Sequence, residues 1–337
     1  MNRFFGAVVG VCLAASLVSC GKSPSPGNPA AAAGPLRVAV IPKGANQVYW
    51  KSVHAGAVQA AAELGVEVIW KGPIKEDDRE SQIKVVEDFI AASVSGIVLA
   101  PLDDTALRPA VEGAARQRIP VVIIDSALNS ERYVSFVATD NYAGGQKAAR
   151  HLAALLGGQG KAVVFRFLEG SASTEQRVQG FLDALKETAG IEVVSANQRS
   201  GATAEVAYQN SENLLARFKQ AGRLKVDGIF CPNEFTTFAM FRALQDAGLA
   251  GKVKFVGFDS SAMLVAAMNK GELHGLVLQD PIRMGYLGVK TMVAHLTGQP
   301  IERRIDTGST VATPQNMAQP VIRMLLEPDY KKWLKEN

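Results

Sequence analysis

The stretch LRVAVIPKGANQVYWKSVHAGAVQAAAELGVEVIW, residues 36–70, predicts the fold of this chain. Residues 38–41 form an uninterrupted apolar run, which is typical of a strand buried on both faces of a parallel sheet. Apolar side chains then recur at helical spacing up to Leu64, and Gly65 suits the left-handed end of a helix. Residues 66–70 form a second apolar run. The order strand, helix, strand predicts a right-handed crossover in an open parallel sheet.

The same alternation continues along the chain in two series, over residues 36–139 and 140–279. The further apolar runs lie at residues 96–100, 121–124, 162–167, 191–195, 226–230, 254–258 and 275–278. Another helical pattern covers residues 282–296. With 337 residues, of which 47% are hydrophobic and 20% charged, the chain has enough apolar material for two domains. The predicted fold class is therefore α/β, with two doubly wound parallel-sheet lobes.

The amino terminus has the pattern of a bacterial export signal. Residues 1–3 end in Arg3, and an uncharged, mostly apolar run follows that is too short to span a bilayer comfortably. The run ends in LVSC, residues 17–20, which resembles a lipobox and predicts cleavage after residue 19 and lipidation of Cys20. An ordinary signal peptide is the alternative. Residues 20–35 are rich in Gly, Pro and Ala and suit a flexible tether, and Cys231 would be the one unmodified thiol of the mature chain.

Polar and aromatic side chains follow six of the predicted strands. In open α/β sheets, ligands bind outside the carboxyl ends of the strands, so these side chains are candidates for a binding site. Amides, carboxylates and a guanidinium can pair with adjacent hydroxyls, and flat rings can stack on C–H faces, so the set favours a sugar or similar polyol. The candidates are Lys43, Gln47, Tyr49, Trp50, Asp125, Ser126, Arg177, Asn233, Phe258, Asp259 and Gln279.

Other readings of single candidates stay open. Asp125 or Asn233 could be no more than a helix N-cap, and a lone ring at a strand end is usually core. Asp125 and Asp259 could form an acid/base pair, but hydrogen bonding to hydroxyls explains both. The sequence has no phosphate-binding glycine motif, nucleophile elbow or zinc motif, and its four His residues are isolated. We therefore expect no enzyme activity, no cofactor and no metal.

The chain resembles bacterial periplasmic binding proteins of the ribose-binding type, the substrate-capturing subunits of ABC importers, over residues 36–325. The resemblance rests on the opening strand with Tyr49-Trp50 and on the stretches VVIID, TDNYAGG, RVQGF, RALQDAG and VGFD, with Asn233 and Gln279. The stretches at residues 41–43, 125–126 and 174–176 are instead similar to the related binder of the furanosyl autoinducer. Ribose binders usually carry Arg where this chain has Ser126, which puts ribose itself in doubt.

The resemblance implies specific roles. Tyr49 and Trp50 would stack on one sugar face and Phe258 on the other, while the polar candidates would bind hydroxyls. It also implies three hinge crossings, near residues 138–140, 279–282 and 307–310. The first lobe would then comprise residues 36–139 and 280–308, the second residues 140–279 and 309–326, with residues 327–337 as a tail of unassigned role.

The function expected from the sequence is a non-enzymatic solute-binding protein, held at a bacterial membrane by Cys20 in the periplasm or at the cell surface. It would deliver a monosaccharide or polyol to ABC permease subunits and act as a monomer. The alternative is a sensor that presents its ligand to a chemoreceptor or histidine kinase. A sugar-responsive repressor shares this core but would begin with a DNA-binding motif, where this chain has an export signal. The net charge of +4 is scattered, which does not favour nucleic acid.

Overall fold

The computed structural model describes residues 35–45 and 47–334, so the predictions for the export signal, Cys20 and nearly all of the tether fall outside it. In chain order its first elements are β1 (Arg37–Ile41), α1 (Val48–Leu64), β2 (Glu67–Trp70), α2 (Arg79–Ala91), β3 (Gly96–Leu99), α3 (Arg108–Arg116), β4 (Val121–Ile124), β5 (Ser135–Ala138), α4 (Asn141–Leu155), β6 (Gly160–Arg166), α5 (Ala172–Lys186) and β7 (Ile191–Arg199). They are followed by α6 (Ala204–Phe218), β8 (Lys219–Gln220), β9 (Arg223–Leu224), β10 (Gly228–Phe230), α7 (Glu234–Asp246), β11 (Lys254–Phe258), α8 (Ala262–Asn269), β12 (Gly275–Leu278), α9 (Pro281–Leu296), β13 (Arg304–Asp306), β14 (Thr310–Ala312), α10 (Pro320–Leu326) and α11 (Lys331–Leu334). No helix of these residues is long and apolar enough to cross a bilayer.

Two six-stranded sheets confirm the predicted fold class. The first lobe is built on the order β13-β5-β4-β3-β1-β2, in which every neighbouring pair is parallel. The second lobe is built on the order β14-β12-β11-β10-β6-β7, in which only β14 is antiparallel to its neighbour. Strands β8 and β9 form a separate hairpin.

The residues of β1 show why these strands are apolar at consecutive positions. Val38 and Val40 pack into the cluster that joins the sheet to α1 and α9, while Ala39 and Ile41 pack into the cluster under α2 and α3. All four side chains are fully buried. Because successive side chains of a strand point to opposite faces, a sheet covered on both sides needs apolar residues at every position.

Three crossings connect the lobes, as predicted. The first leads from β5 into α4, which packs on the second sheet; the second leads from β12 into α9, which packs on the first; the third leads from β13 into β14. The first and third crossings are hydrogen-bonded to each other. Thr139 Oγ1 lies 3.2 Å from Thr307 Oγ1, and the Asp140 backbone N–H donates to the Asp306 carboxylate at 3.0 Å.

The C-terminal segment makes a further connection between the lobes. Its helix α10 inserts Ile322 and Leu326 into the core of the second lobe, and Ser260 Oγ donates to the Leu326 carbonyl at 2.9 Å. The following helix, α11, instead lies against α1 of the first lobe, with Lys51 Nζ 5.8 Å from the centre of the Tyr330 ring. The described part of the tail that has no assigned role in the sequence analysis, residues 327–334, thus packs on the first lobe directly after a helix of the second.

Helices α4 and α5 pack so closely that glycine is required between them. A Cβ atom on Gly145 of α4 would lie 1.9 Å from the Arg177 carbonyl oxygen, and one on Gly180 of α5 would lie 2.1 Å from the Tyr142 carbonyl oxygen. Both contacts are with backbone atoms, which cannot move aside without shifting a helix. This contact fixes the position of α5, and therefore of Arg177.

Replacing Gly145 with Ala should destabilise the protein by about 1 to 3 kcal/mol, because the added methyl group forces α4 and α5 apart. Urea unfolding followed by circular dichroism measures this change. Gly113→Ala is the matched control, since a Cβ on Gly113 in α3 would make only ordinary van der Waals contacts with side-chain atoms, and Ala is the better helix former there. Equal stability of Gly145→Ala and wild type would contradict the prediction.

Candidate functional site

A cavity lies between the lobes, where strands of both sheets end. All six strand ends singled out in the sequence contribute to it, those of β1, β4, β6, β10, β11 and β12. The side chains that line it are Lys43, Gln47, Tyr49, Trp50, Glu76, Asp125, Phe167, Ser171, Ser173, Thr174, Arg177, Asn233, Glu234, Phe235, Asp259 and Gln279.

Nine of the eleven predicted binding residues line this cavity, all except Ser126 and Phe258. Phe258 was expected to stack on a sugar face, but it is fully buried, and the Arg177 guanidinium lies 3.9 Å above the centre of its ring. Arg177 therefore stands between this ring and the cavity. Ser126 is also fully buried, and its Oγ accepts the Ser173 backbone N–H at 3.0 Å, so its oxygen joins the two lobes.

Lys43 and Asp125 form a buried ion pair at one end of the cavity. Lys43 Nζ lies 2.8 Å from Asp125 Oδ2, and both side chains are 5% exposed. Lys43 also donates across the interface to Ser173 Oγ at 3.1 Å. Tyr49 Oη donates to the other Asp125 oxygen at 2.9 Å, and burial, followed by the charges of Asp125 and Asp259, raises the pKa of Tyr49 well above its usual value. Tyr49 therefore keeps its proton and remains a donor.

A second polar network surrounds Arg177. Its Nε donates to Asn141 Oδ1 at 2.8 Å and its Nη1 to the Pro232 carbonyl at 2.9 Å. Nη1 also lies 3.7 Å from Asp259 Oδ2, while Gln279 Nε2 donates to Asp259 Oδ1 at 2.8 Å. These bonds hold the guanidinium, carboxylate and amide in fixed orientations. Sites that bind small polar molecules tightly need such preorganisation.

Five polar atoms at the cavity are buried without a hydrogen-bond partner in the described part of the chain. They are Gln47 Oε1, Ser171 Oγ, Arg177 Nη2, Glu234 Oε2 and Gln279 Oε1. A buried polar atom without a partner costs about 1 to 3 kcal/mol, so this concentration marks the place where a polar ligand completes the network.

Asp125 and Asp259 occupy matching places in the two lobes. Each directly follows a fully or almost fully buried strand, β4 or β11, and each has a left-handed backbone, with φ of 63° and 62°. Asn233 behaves differently, because its side chain accepts the Thr236 backbone N–H and caps α7. The helix-cap alternative therefore holds for Asn233, which nevertheless lines the cavity, while Asp125 caps no helix.

Hydrogen bonds join the lobes on the outer side of the cavity as well. The Asp104 backbone N–H donates to the Gly170 carbonyl at 3.0 Å, and Arg79 Nη2 donates to the Glu169 carbonyl at 2.8 Å. Nearer the crossings, Asn141 Nδ2 donates to the Asp125 carbonyl at 3.1 Å. The lobes are thus closed on each other, and a ligand reaches the cavity only if they separate.

Seven lining residues were absent from the sequence prediction: Glu76, Phe167, Ser171, Ser173, Thr174, Glu234 and Phe235. Six of them follow the ends of β6 and β10, and a wider window around these strand ends would have included them. Glu76 follows β2, and the sequence analysis predicts no candidate after the end of that strand. Its carboxylate accepts Trp50 Nε1.

Glu76 and Glu234 are acidic groups in an apolar and acidic setting. Burial, with Asp125 and Asp259 nearby, raises the pKa of Glu76, although the Trp50 N–H and Lys43 act in the other direction. Burial, followed by the charges of Asp259 and Glu76, raises the pKa of Glu234 to about 8. Burial also raises the pKa of Asp259 to about 6, against the opposing effects of Arg177 and Gln279.

Replacing Glu234 with Gln should reduce the loss of stability of the ligand-free protein between pH 6.5 and 8. The folded state holds the Glu234 proton up to about pH 8, whereas the unfolded chain releases it near 4.5, so the free energy of unfolding falls as pH rises through this range. Below it, His274, whose pKa burial lowers to about 4 from 6.5, acts in the opposite direction.

Thermal unfolding of wild type and Glu234→Gln at pH 6.5 and pH 8 measures this difference. Glu187→Gln, at an exposed position after α5, should keep the wild-type pH dependence. The same fall in melting temperature in Glu234→Gln and wild type would contradict the assignment.

The sequence and fold match known families. Residues 38–300 match the family model described as a periplasmic binding protein domain. The chain is 28% identical over 302 residues to the D-allose-binding periplasmic protein of Escherichia coli, covering 87% of this chain and 90% of the relative. It is also 28% identical over 260 residues to the ribose import binding protein of Haemophilus influenzae, covering 76% and 84%.

Solved structures agree. A carbohydrate transporter solute-binding protein from Agrobacterium radiobacter in complex with D-arabinose matches with a TM-score of 0.83 and 34% identity, covering 87% of this chain and 99% of that one. An ABC transporter solute-binding protein from Agrobacterium vitis with bound D-fucose matches with a TM-score of 0.81 and 35% identity, covering 86% and 100%. The resemblance stated from the sequence is thereby confirmed, and the chain belongs to the periplasmic binding protein family, whose members bind substrates for transport and are not enzymes.

Proposed function

We propose that this protein captures a monosaccharide or similar polyol between its two lobes and delivers it to the permease subunits of an ABC importer. The observation that carries the proposal is the closed cavity with its buried polar atoms that lack partners. A sugar presents several adjacent hydroxyls, each of which can donate and accept, and so can satisfy such a set.

The relatives support the sugar class and leave the individual sugar open. They include proteins described as binding D-allose and ribose, and structures that hold D-arabinose and D-fucose. Because these sugars differ in their number of carbon atoms and in the orientation of their hydroxyls, they support a monosaccharide as the class of ligand. Nothing on this chain favours the alternative role of a sensor.

Polar and aromatic residues have separate roles in the proposed site. Asp125, Arg177, Asn233, Asp259 and Gln279 bind hydroxyls, and Lys43 and Gln47 add further polar contacts. Tyr49 and Trp50, whose rings meet edge to face at 5.0 Å, offer the first lobe's apolar surface. In the second lobe, Phe167 and Phe235 take the stacking role that was expected of Phe258, and their ring centres lie 5.7 Å apart.

Closure around the sugar would be a hinge motion at the three crossings. The moving bodies are residues 36–139 with 280–308, and residues 140–279 with 309–326. Closed lobes then present a surface that the permease distinguishes from the open form. The protein acts in the periplasm, and the monomer is the proposed unit of capture.

The membrane attachment is part of the proposal. Removal of residues 1–19 would leave Cys20 as the lipidated first residue, and residues 20–35 would link the lipid to β1. These residues precede the described part of the chain except for Pro35, and the proposal rests on their sequence alone.

Replacing Asp259 with Asn should weaken sugar binding by roughly 10- to 100-fold. The substitution preserves the side-chain shape and tolerates the left-handed backbone, but it removes a charged hydrogen-bond acceptor, which contributes about 1.5 to 3 kcal/mol. Isothermal titration with a panel of pentoses and hexoses measures the affinity of the full chain in detergent.

The matched control is Asp246→Asn, on the exposed surface of α7, which should bind as wild type does. Unchanged affinity in Asp259→Asn would remove that carboxylate from the site. The absence of any sugar binding by wild type would contradict the proposed function.

Replacing Cys20 with Ser should release the protein from the membrane, because the hydroxyl cannot form the thioether to the lipid. Fractionation of cells expressing each form measures the distribution, with wild type expected in the membrane fraction and Cys20→Ser in the soluble fraction or unprocessed. Cys231→Ser, at the buried thiol, is the control and should remain in the membrane fraction. A soluble wild-type protein would support an ordinary signal peptide instead.

A further inference from the structure

Two of the four carboxylates at the cavity already have cationic partners. Asp125 is paired with Lys43 at 2.8 Å, and Asp259 lies 3.7 Å from Arg177. These pairs account for both cationic side chains of the lining. As far as formal charge is concerned, each pair is neutral.

The other two carboxylates, Glu76 of the first lobe and Glu234 of the second, have no such partner. Neither lies within 4.0 Å of a basic side chain in the described part of the chain. Both are half-buried, and a carboxylate that is shielded from water without a counter-ion is costly unless it takes up a proton or a cation. The cavity therefore has two acidic groups more than its own basic groups compensate.

The contacts that Glu76 and Glu234 make within the protein do not fully explain why both residues are acidic. Glu76 accepts the Trp50 indole N–H, for which a neutral Gln would serve equally well. Glu234 stands in the first turn of α7, where a negative charge is favourable. Its Oε2, however, is buried without a partner and lines the cavity, which the helix terminus does not require.

The other unpaired atoms of the cavity indicate a ligand site. Most of them are hydrogen-bond acceptors, so the ligand must mainly donate hydrogen bonds. Arg177, 2% exposed, offers Nη2 as a donor, whereas Gln279, 3% exposed, offers Oε1 as an acceptor. The orientation of Gln279 is fixed because its Nε2 donates to Asp259. With Glu234 Oε2, the acceptors outnumber the donor. An ammonium group donates three hydrogen bonds and accepts none, while a hydroxyl donates only one.

We propose that the solute carries an ammonium group as well as hydroxyls, as an amino-substituted monosaccharide or polyol does, and that Glu76 and Glu234 bind this ammonium from opposite lobes. The inference rests on the proposed function and names its ligand class. Because the two carboxylates belong to different lobes, an ammonium between them also favours the closed form. A neutral sugar lacks this charge and leaves the two glutamates uncompensated.

The electrostatics of the empty site agree with this assignment. Each glutamate lies close enough to other acidic groups for its pKa to rise, Asp125 and Asp259 for Glu76, and Asp259 and Glu76 for Glu234. Lys43 acts against the rise at Glu76. A cation bound between Glu76 and Glu234 would oppose the rise that the neighbouring carboxylates cause and would lower the pKa of both glutamates.

The test compares amines with their hydroxyl counterparts on the full chain by isothermal titration at pH 7. The probes are D-glucosamine, D-galactosamine, D-mannosamine, 1-amino-1-deoxy-D-sorbitol and scyllo-inosamine, each paired with the corresponding neutral sugar or polyol. We expect at least one amine to bind about tenfold or more tightly than its partner, as a charge-assisted bond to a half-buried carboxylate would give. N-acetyl-D-glucosamine, whose amide is neutral, should lose that preference.

Glu76→Gln and Glu234→Gln should each reduce the preference for the amine over its neutral partner about tenfold or more. Glu187→Gln is the matched control on the exposed surface and should keep the preference. Melting temperatures of the ligand-free variants report whether each one folds. If a variant does not fold, the comparison of amine and hydroxyl ligands on wild type still decides.

Two results would overturn the inference and leave the proposed function standing. One is binding of neutral sugars with no amine preferred. The other is a preference for an amine that survives in both folded Glu→Gln variants, which would place the ammonium elsewhere. Binding of neither amines nor neutral sugars would overturn the proposed function together with the inference.

Discussion

The burial of charge between two separable lobes is the constraint on which the rest of this structure depends. Lys43, Asp125, Arg177 and Asp259 are at most 8% exposed, and breaking a buried pair by removing one partner is strongly destabilising. Each pair consists of residues that belong to one lobe, and Lys43 adds a bond to Ser173 in the other. Opening of the cleft thus exposes these charges to water without separating their partners. This arrangement keeps both the open and the closed forms accessible.

The backbone contributes to the same arrangement. Asp125 and Asp259 adopt the left-handed conformation directly after central strands of the two sheets. A non-glycine residue in this region is uncommon, and such strain persists only where the surrounding structure holds it. This turn lies at the end of each sheet, where both carboxylates line the cavity. The two lobes therefore use the same backbone conformation to place a carboxylate at the same cavity.

Features set by continuous local patterns were predictable from the sequence. The buried parallel strands and the long amphipathic helices α1 and α9 are of this kind, and the rule that ligands bind at strand ends located nine of the lining residues. The sequence analysis missed the strand β5 and the three-residue strands β13 and β14. Their apolar runs are too short to predict a strand, and they form strands because they pair with neighbouring strands.

The errors at the site have a different cause. A strand residue points to one face of the sheet or the other, and which face meets the ligand depends on how the lobes are placed. Phe258, the last residue of β11, points into the second lobe's core and supports Arg177, while Phe167 and Phe235 lie in loop and helix positions that reach the cavity. Glu76 was missed for a related reason, because its proximity to Trp50 depends on the loop after β2 folding back over α1. Long-range placement of this kind leaves no periodic signal in the chain.

The C-terminal segment changes how the hinge must work. Helix α10 is part of the second lobe's core, and Ser260, directly after Asp259, holds the end of this helix through the Leu326 carbonyl. Helix α11 lies on α1, the helix that carries Tyr49 and Trp50. Residues 327–330 therefore link the backs of the two binding surfaces, outside the three crossings. Any separation of the lobes must bend this linker or detach α11, so the segment opposes opening through contacts that no ligand touches.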